Sequence, residues 1–75
     1  RKAIEFYEQA LKIAREIGDR RGEGNHLGNL GNAYSDLGEP RKAIEFYEQA
    51  LKIFEDIKDP NAEKVKRWLQ ELESS

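Results

Sequence analysis

Asn25, Asn29, Asn32 and Asp36 recur at spacings of four, three and four, which puts three amides and a carboxylate on one face of a helix. Asparagine is a poor helix former because its side chain competes for nearby backbone groups, so three on one face call for a reason. Two readings stay open. The stripe is either a hydrated surface or a row of amides that both donate and accept, suited to gripping the backbone of an extended peptide.

The other polar residues support less. His26 is the single histidine and there is no cysteine, so no metal site with further His or Cys ligands at helical spacing can be assembled. Ser35, Ser74 and Ser75 have no histidine at a spacing that vouches for a triad, and no catalytic residue is expected. Gly22-Glu23-Gly24 and Gly28-x2-Gly31 superficially resemble a phosphate-cradling loop. Such a loop needs a preceding strand, and no stretch alternates with period two for long enough to make one. No nucleotide or other cofactor is expected. Glu5 with Glu8, and Glu45 with Glu48, lie three apart on the polar side of helical segments and read as solvated surface rather than an acid/base pair.

The elements that must position the asparagine stripe follow from a repeat. Residues Arg1 to Ile13, RKAIEFYEQALKI, return unchanged at Arg41 to Ile53, an offset of 40 residues. Self-similarity at that period marks stacked repeats, in which each unit buries its apolar face only against its neighbours. Within the repeat, Ala3, Tyr7, Ala10, Leu11 and Ala14 form an apolar stripe at the helical period, and Ala43, Tyr47, Ala50, Leu51 and Phe54 form it again. Gly18 and Asp19 predict the end of the first helix near Ile17 and the cap of a second. That second helix, about residues 20 to 37, carries Leu27, Leu30, Gly31, Tyr34 and Leu37 on one face and is closed by Gly38. Pro40 suits the first turn of a third helix reaching about Ile57, and Asp59 with Pro60 at the first position begins a fourth. Connections this short make consecutive helices antiparallel neighbours.

Composition fits a small all-α unit. Its 75 residues allow one domain of marginal stability, with no disulfide to staple it, and the cytoplasm is the expected compartment. Charged residues make up 37% of the chain yet nearly cancel to a net −2, so neither nucleic acid nor a membrane surface is an expected partner. No apolar run approaches the roughly 20 residues that span a bilayer. The chain opens at Arg1 without Met, as expected of a fragment of a longer protein or a processed chain.

Leu27-x2-Leu30-Gly31-x2-Tyr34, followed by Ala43, Tyr47 and Ala50, resembles the tetratricopeptide repeat (TPR) pattern W-x2-L-G-x2-Y, then A-x3-F and a small residue. Leu27 stands where the family has its Trp. The 40-residue period, the Leu30-Gly31-Asn32 triplet and Gly18-Asp19 look like the longer-helix repeats of Leu-Gly-Asn-repeat and kinesin-light-chain-type proteins. The resemblance implies antiparallel helix-turn-helix TPR units in a short right-handed α-solenoid. On this reading residues 1–17 are the second helix of a preceding repeat, 20–58 a complete repeat and 60–73 a terminal capping helix. Gly31 and Ala43 become the small residues where paired helices touch.

The family places the glycine-rich helix on the concave wall of its superhelix, so the resemblance implies peptide binding at Asn25, Gly28, Asn29, Asn32 and Asp36. Gly28 then leaves room for the peptide. The fourth helix, read at an offset of 38, brings Glu63, Lys66, Arg67 and Gln70 to the corresponding face, and Lys66 and Arg67 favour a ligand with acidic residues. Gly28 stands where TPRs that clamp acidic chaperone C-termini have a Lys, so that activity is not implied. The aromatic residues read as core, Trp68 alone being a candidate partner contact.

Two functional expectations follow. The first is a protein–protein interaction scaffold taking a partner's peptide segment in the groove. The second is a self-assembling structural module, naturally duplicated or engineered, because a drifting repeat rarely keeps thirteen residues identical. The first helix has only one neighbour to cover Ala3, Tyr7, Ala10 and Ala14, so a homodimer through that helix is expected.

Overall fold

The computed structural model describes residues 2–74, and Ser75 and the first residue of the repeat, Arg1, lie outside the described residues. Four helices follow in order: α1 (Lys2–Ile17), α2 (Arg20–Asp36), α3 (Pro40–Asp56) and α4 (Asn61–Glu73), with no strand among the described residues. Each packs on the next. The Cα atoms span 36 × 30 × 13 Å, a slab whose thin dimension is little more than one helix diameter, about 10–12 Å.

The turns are set by local chemistry. Gly18 adopts φ +75°, a left-handed conformation that costs glycine nothing, and the N–H of Asp19 donates back to the Ala14 carbonyl at 2.8 Å. The Asp19 carboxylate then accepts from the Gly22 N–H at 3.0 Å and caps α2. Gly38, at φ +78°, ends α2 in the same way before Pro40 opens α3. The third turn departs from this pattern, because Lys58 holds φ +58° where the first copy has glycine. Asp59 accepts from the Asn61 N–H at 2.9 Å, so it ties down the start of α4 as expected, although the helix begins at Asn61, one residue beyond Pro60.

The core runs through the interface of α2 with α3. Leu27, Leu30, Ala43, Tyr47, Ala50 and Phe54 are buried there, joined by Val65 and Leu69 from α4 and Leu11 and Ala14 from α1. Gly31 packs against Tyr47: a Cβ at residue 31 would lie 2.5 Å from the Tyr47 ring. The aromatic ring fills the space that glycine leaves. Gly24 makes the matching allowance for Phe54, whose ring is 2.8 Å from where a Cβ would stand.

Two ion pairs join the start of α2 to the end of α3 and the turn beyond it. Arg21 Nε bonds the buried Asp59 carboxylate at 2.8 Å, and Arg20 reaches Asp56 at 3.4 Å. The start of α2 is thereby clamped to the turn between α3 and α4. The Arg21 pair carries more weight, since a carboxylate removed from water must be matched by hydrogen bonds and a counter-charge.

Candidate interaction crevice

Alternate helices, α2 and α4, flank a crevice of about 390 Å³. Its floor is Gly24, Gly28, Phe54, Val65 and Trp68, and its rim is Asn25, His26, Asn29, Asn61 and Lys64. Gly24 and Gly28 keep the α2 wall low. Trp68 is half-buried, with its ring 5.5 Å from that of Tyr47, and Lys64 Nζ stands 5.8 Å from its centroid in cation–π range.

The asparagine stripe divides between two tasks. Asn25 and Asn29 line the crevice. Asn32 is engaged inside the fold, its side-chain oxygen accepting a hydrogen bond from the Tyr47 hydroxyl. Asp36 is exposed towards the end of α2, close enough to act on the same tyrosine. Burial pushes the Tyr47 hydroxyl above its usual pKa, and the carboxylates of Asp36 and Glu71 add to the shift by opposing a phenolate. The phenol therefore stays protonated and keeps donating to Asn32.

Gly28 is buried, and Trp68 approaches to 3.8 Å from where its Cβ would be, so the room it leaves is bordered by α4. Lys66, Arg67 and Gln70 are exposed on α4 and do not line the crevice. The reason is angular. At about 100° per residue, Val65 and Leu69 point α4 at the core, so Asn61, Lys64 and Trp68 flank α2 while residues 66, 67 and 70 turn the other way. Asn61 and Lys64 escaped the sequence reading, yet they precede Trp68 by seven and four residues, and that shared helical face was the available signal.

A second groove, about 340 Å³, runs along Phe6, Gln9, Ala10, Ile13, Ala14 and Ile17 of α1 and is bordered by Asp19 and His26. His26 borders both grooves, and its Nδ1 is buried without a hydrogen-bond partner among the described residues. Among the described residues there is no group of three His, Cys, Asp or Glu side chains that could hold a metal, and no helix long and apolar enough to cross a membrane.

Antiparallel helices stacked in sequence order, each packed on the next, define a helical-repeat protein. The chain belongs to the tetratricopeptide repeat family, which matches residues 1–56. That family is a non-enzymatic protein–protein interaction module. G-protein-signaling modulator 1 from Homo sapiens is 51% identical over 37 residues, which is 49% of this chain and 6% of that protein. The same protein from Mus musculus is 49% identical over the same shares. The chain thus spans only a small part of these relatives. Among solved structures, the solution NMR structure of the designed protein DA05 superimposes with a TM-score of 0.88 at 29% identity, covering 95% of this chain and 72% of that one.

Proposed function

We propose that the chain binds an extended segment of a partner protein across α2 and α4, anchored in the crevice at Trp68. The carrying observation is the make-up of that crevice, an apolar floor containing a half-buried indole beneath a rim of three amides, one histidine and one lysine. An extended peptide presents unpaired backbone N–H and C=O groups, and Asn25, Asn29 and Asn61 offer both donors and acceptors to meet them. A peptide side chain packs on Trp68 while Lys64 pairs with an acidic neighbour. Lys66, Arg67 and Gln70 extend the polar surface of α4, and Asp36 extends that of α2. Asn32 acts indirectly, by fixing Tyr47 beneath Trp68. We place this scaffold in the cytoplasm, whose reducing conditions suit a chain without cysteine.

Trp68 is the only tryptophan, so its emission reports occupancy of the crevice directly. A panel of extended acidic peptides, each paired with a version whose Asp and Glu are replaced by Ala, is titrated against the chain. Saturable changes in emission are expected with the acidic peptides. Lys64→Glu is expected to weaken binding by roughly tenfold or more, the scale of a lost charge-assisted hydrogen bond. Asn25→Ala with Asn29→Ala weakens it further while circular dichroism stays unchanged. Asn32 is left intact because its loss would disturb the core. Acidic peptides bound equally well by all these variants would refute the site.

A further inference from the structure

The outer face of α1 has a built-in control, because residues 1–13 and 41–53 are identical. In α3 this face is covered by α2: Ile53 is 8% exposed, and Phe46 stacks on Tyr34 with centroids 5.4 Å apart. In α1 the same side chains stand open, Ile13 at 55% and Phe6 at 64%, continued by Ile17 at 71%. The face is shaped to receive a helix. Phe6, Ala10, Ile13 and Ile17 follow spacings of four, three and four, the seam of a coiled coil.

Beside that seam runs an exposed row, Lys2, Glu5, Gln9, Lys12 and Glu16, none paired with another described residue. Read backwards, the row is its own complement. When two α1 helices lie antiparallel about Gln9, Lys2 is level with Glu16 of the second copy, Glu5 falls one residue, about 1.5 Å, from its Lys12, and the two Gln9 amides meet each other. The same register brings Phe6 within one residue, about 1.5 Å along the axis, of Ile13 of the second copy. A parallel pairing sets like charges opposite one another instead. Apart from Leu37, every large apolar side chain left exposed among the described residues is on this seam, so a second copy can offer no other apolar face of this extent.

We propose that α1 is an isologous interface through which two copies of this chain pair as an antiparallel two-fold dimer. The apolar seam supplies the attraction and the self-complementary row sets the direction. Because the contact closes at two copies, it leaves the α2–α4 crevice of each copy open.

Sedimentation equilibrium across concentrations from micromolar to several hundred micromolar tests the proposal. A reversible monomer–dimer equilibrium is expected. Ile13→Glu should leave a folded monomer throughout the range, since residue 13 is exposed and its loss removes nothing from the core. Glu16→Lys, which places Lys opposite Lys2, is expected to raise the dimer dissociation constant by roughly tenfold. Adding Lys2→Glu to Glu16→Lys should return it to near the parent value. Failure of that double variant to recover association excludes the antiparallel register, while a monomeric parent chain or a series of species beyond two overturns the interface itself.

Discussion

Identical residues have different fates in α1 and α3, and the difference isolates what a neighbour contributes. Ala3, Tyr7, Ala10 and Ile13 have the same side chains and local sequence as Ala43, Tyr47, Ala50 and Ile53, so intrinsic helix propensity separates the two sets very little. All four positions are buried in α3, whereas none is buried in α1. Leu11 runs the other way, buried where its copy Leu51 is only half-buried, because α1 turns that side to α2. Burial in a repeat is thus assigned by position in the stack. The same thirteen residues make a core on one helix and a surface on the other.

Ile53→Ala against Ile13→Ala is the sharpest way to break that comparison. Truncating the buried copy is expected to cost about 2–5 kcal/mol, enough to unfold much of so small a domain, and truncating the exposed copy under about 0.5 kcal/mol. Urea unfolding at low micromolar concentration, where association does not contribute, checks both, and equal costs would dissolve the distinction. Gly31→Leu comes next. A Cβ at residue 31 already intrudes on Tyr47, so overpacking should destabilise by about 1–3 kcal/mol although leucine is the better helix former by nearly 1 kcal/mol. A variant that melts at or above the parent temperature contradicts this. The smallest effect concerns the turns that close the two copies, Gly18 after α1 and Lys58 after α3. Giving the second the residue of the first, Lys58→Gly, relieves a left-handed non-glycine and is expected to add about 1 kcal/mol. Calorimetry should show a rise in melting temperature of about 4–8 °C.

Helix order, turns and the α2–α3 core were legible because each is governed by residues near in sequence. Gly18, Asp19, Gly38 and Pro40 act within one turn of where they stand, and the apolar period reports which side of a helix leaves water. What escaped depends on how helices are rotated against one another. Ala14 was expected on the open face of α1 but is buried against α2, and the open face turned out to be Phe6, Ile13 and Ile17, one step around the helix. Ala10 and Tyr7 are half-buried at its edge, and Ala3 is exposed as expected. The same limit applies to the crevice. That Asn25, Gly28 and Asn29 share a face follows from one helix, whereas their meeting with Asn61 and Lys64 along one crevice depends on which flank of α4 meets α2. Nor does spacing reveal that Asn32 is already committed to Tyr47, a partner fifteen residues away.

Phe54, seated against Gly24, has a bearing on how the chain tells its own halves apart. The buried side chains of α3 are Ala43, Tyr47, Ala50, Ile53 and Phe54, and the first four have exact twins in α1. Those four carry no information about which segment α2 should embrace. Only the fifth does, because α1 has Ala14 in that place. Burying a phenylalanine is worth about 1.5–3 kcal/mol, which corresponds to a preference of roughly ten- to a hundredfold. Chain connectivity supplies the remainder within one molecule. Between molecules, where connectivity is silent and exchange of equivalent helices is a standing hazard of repeated sequence, a single aromatic ring distinguishes the native partner from its duplicate.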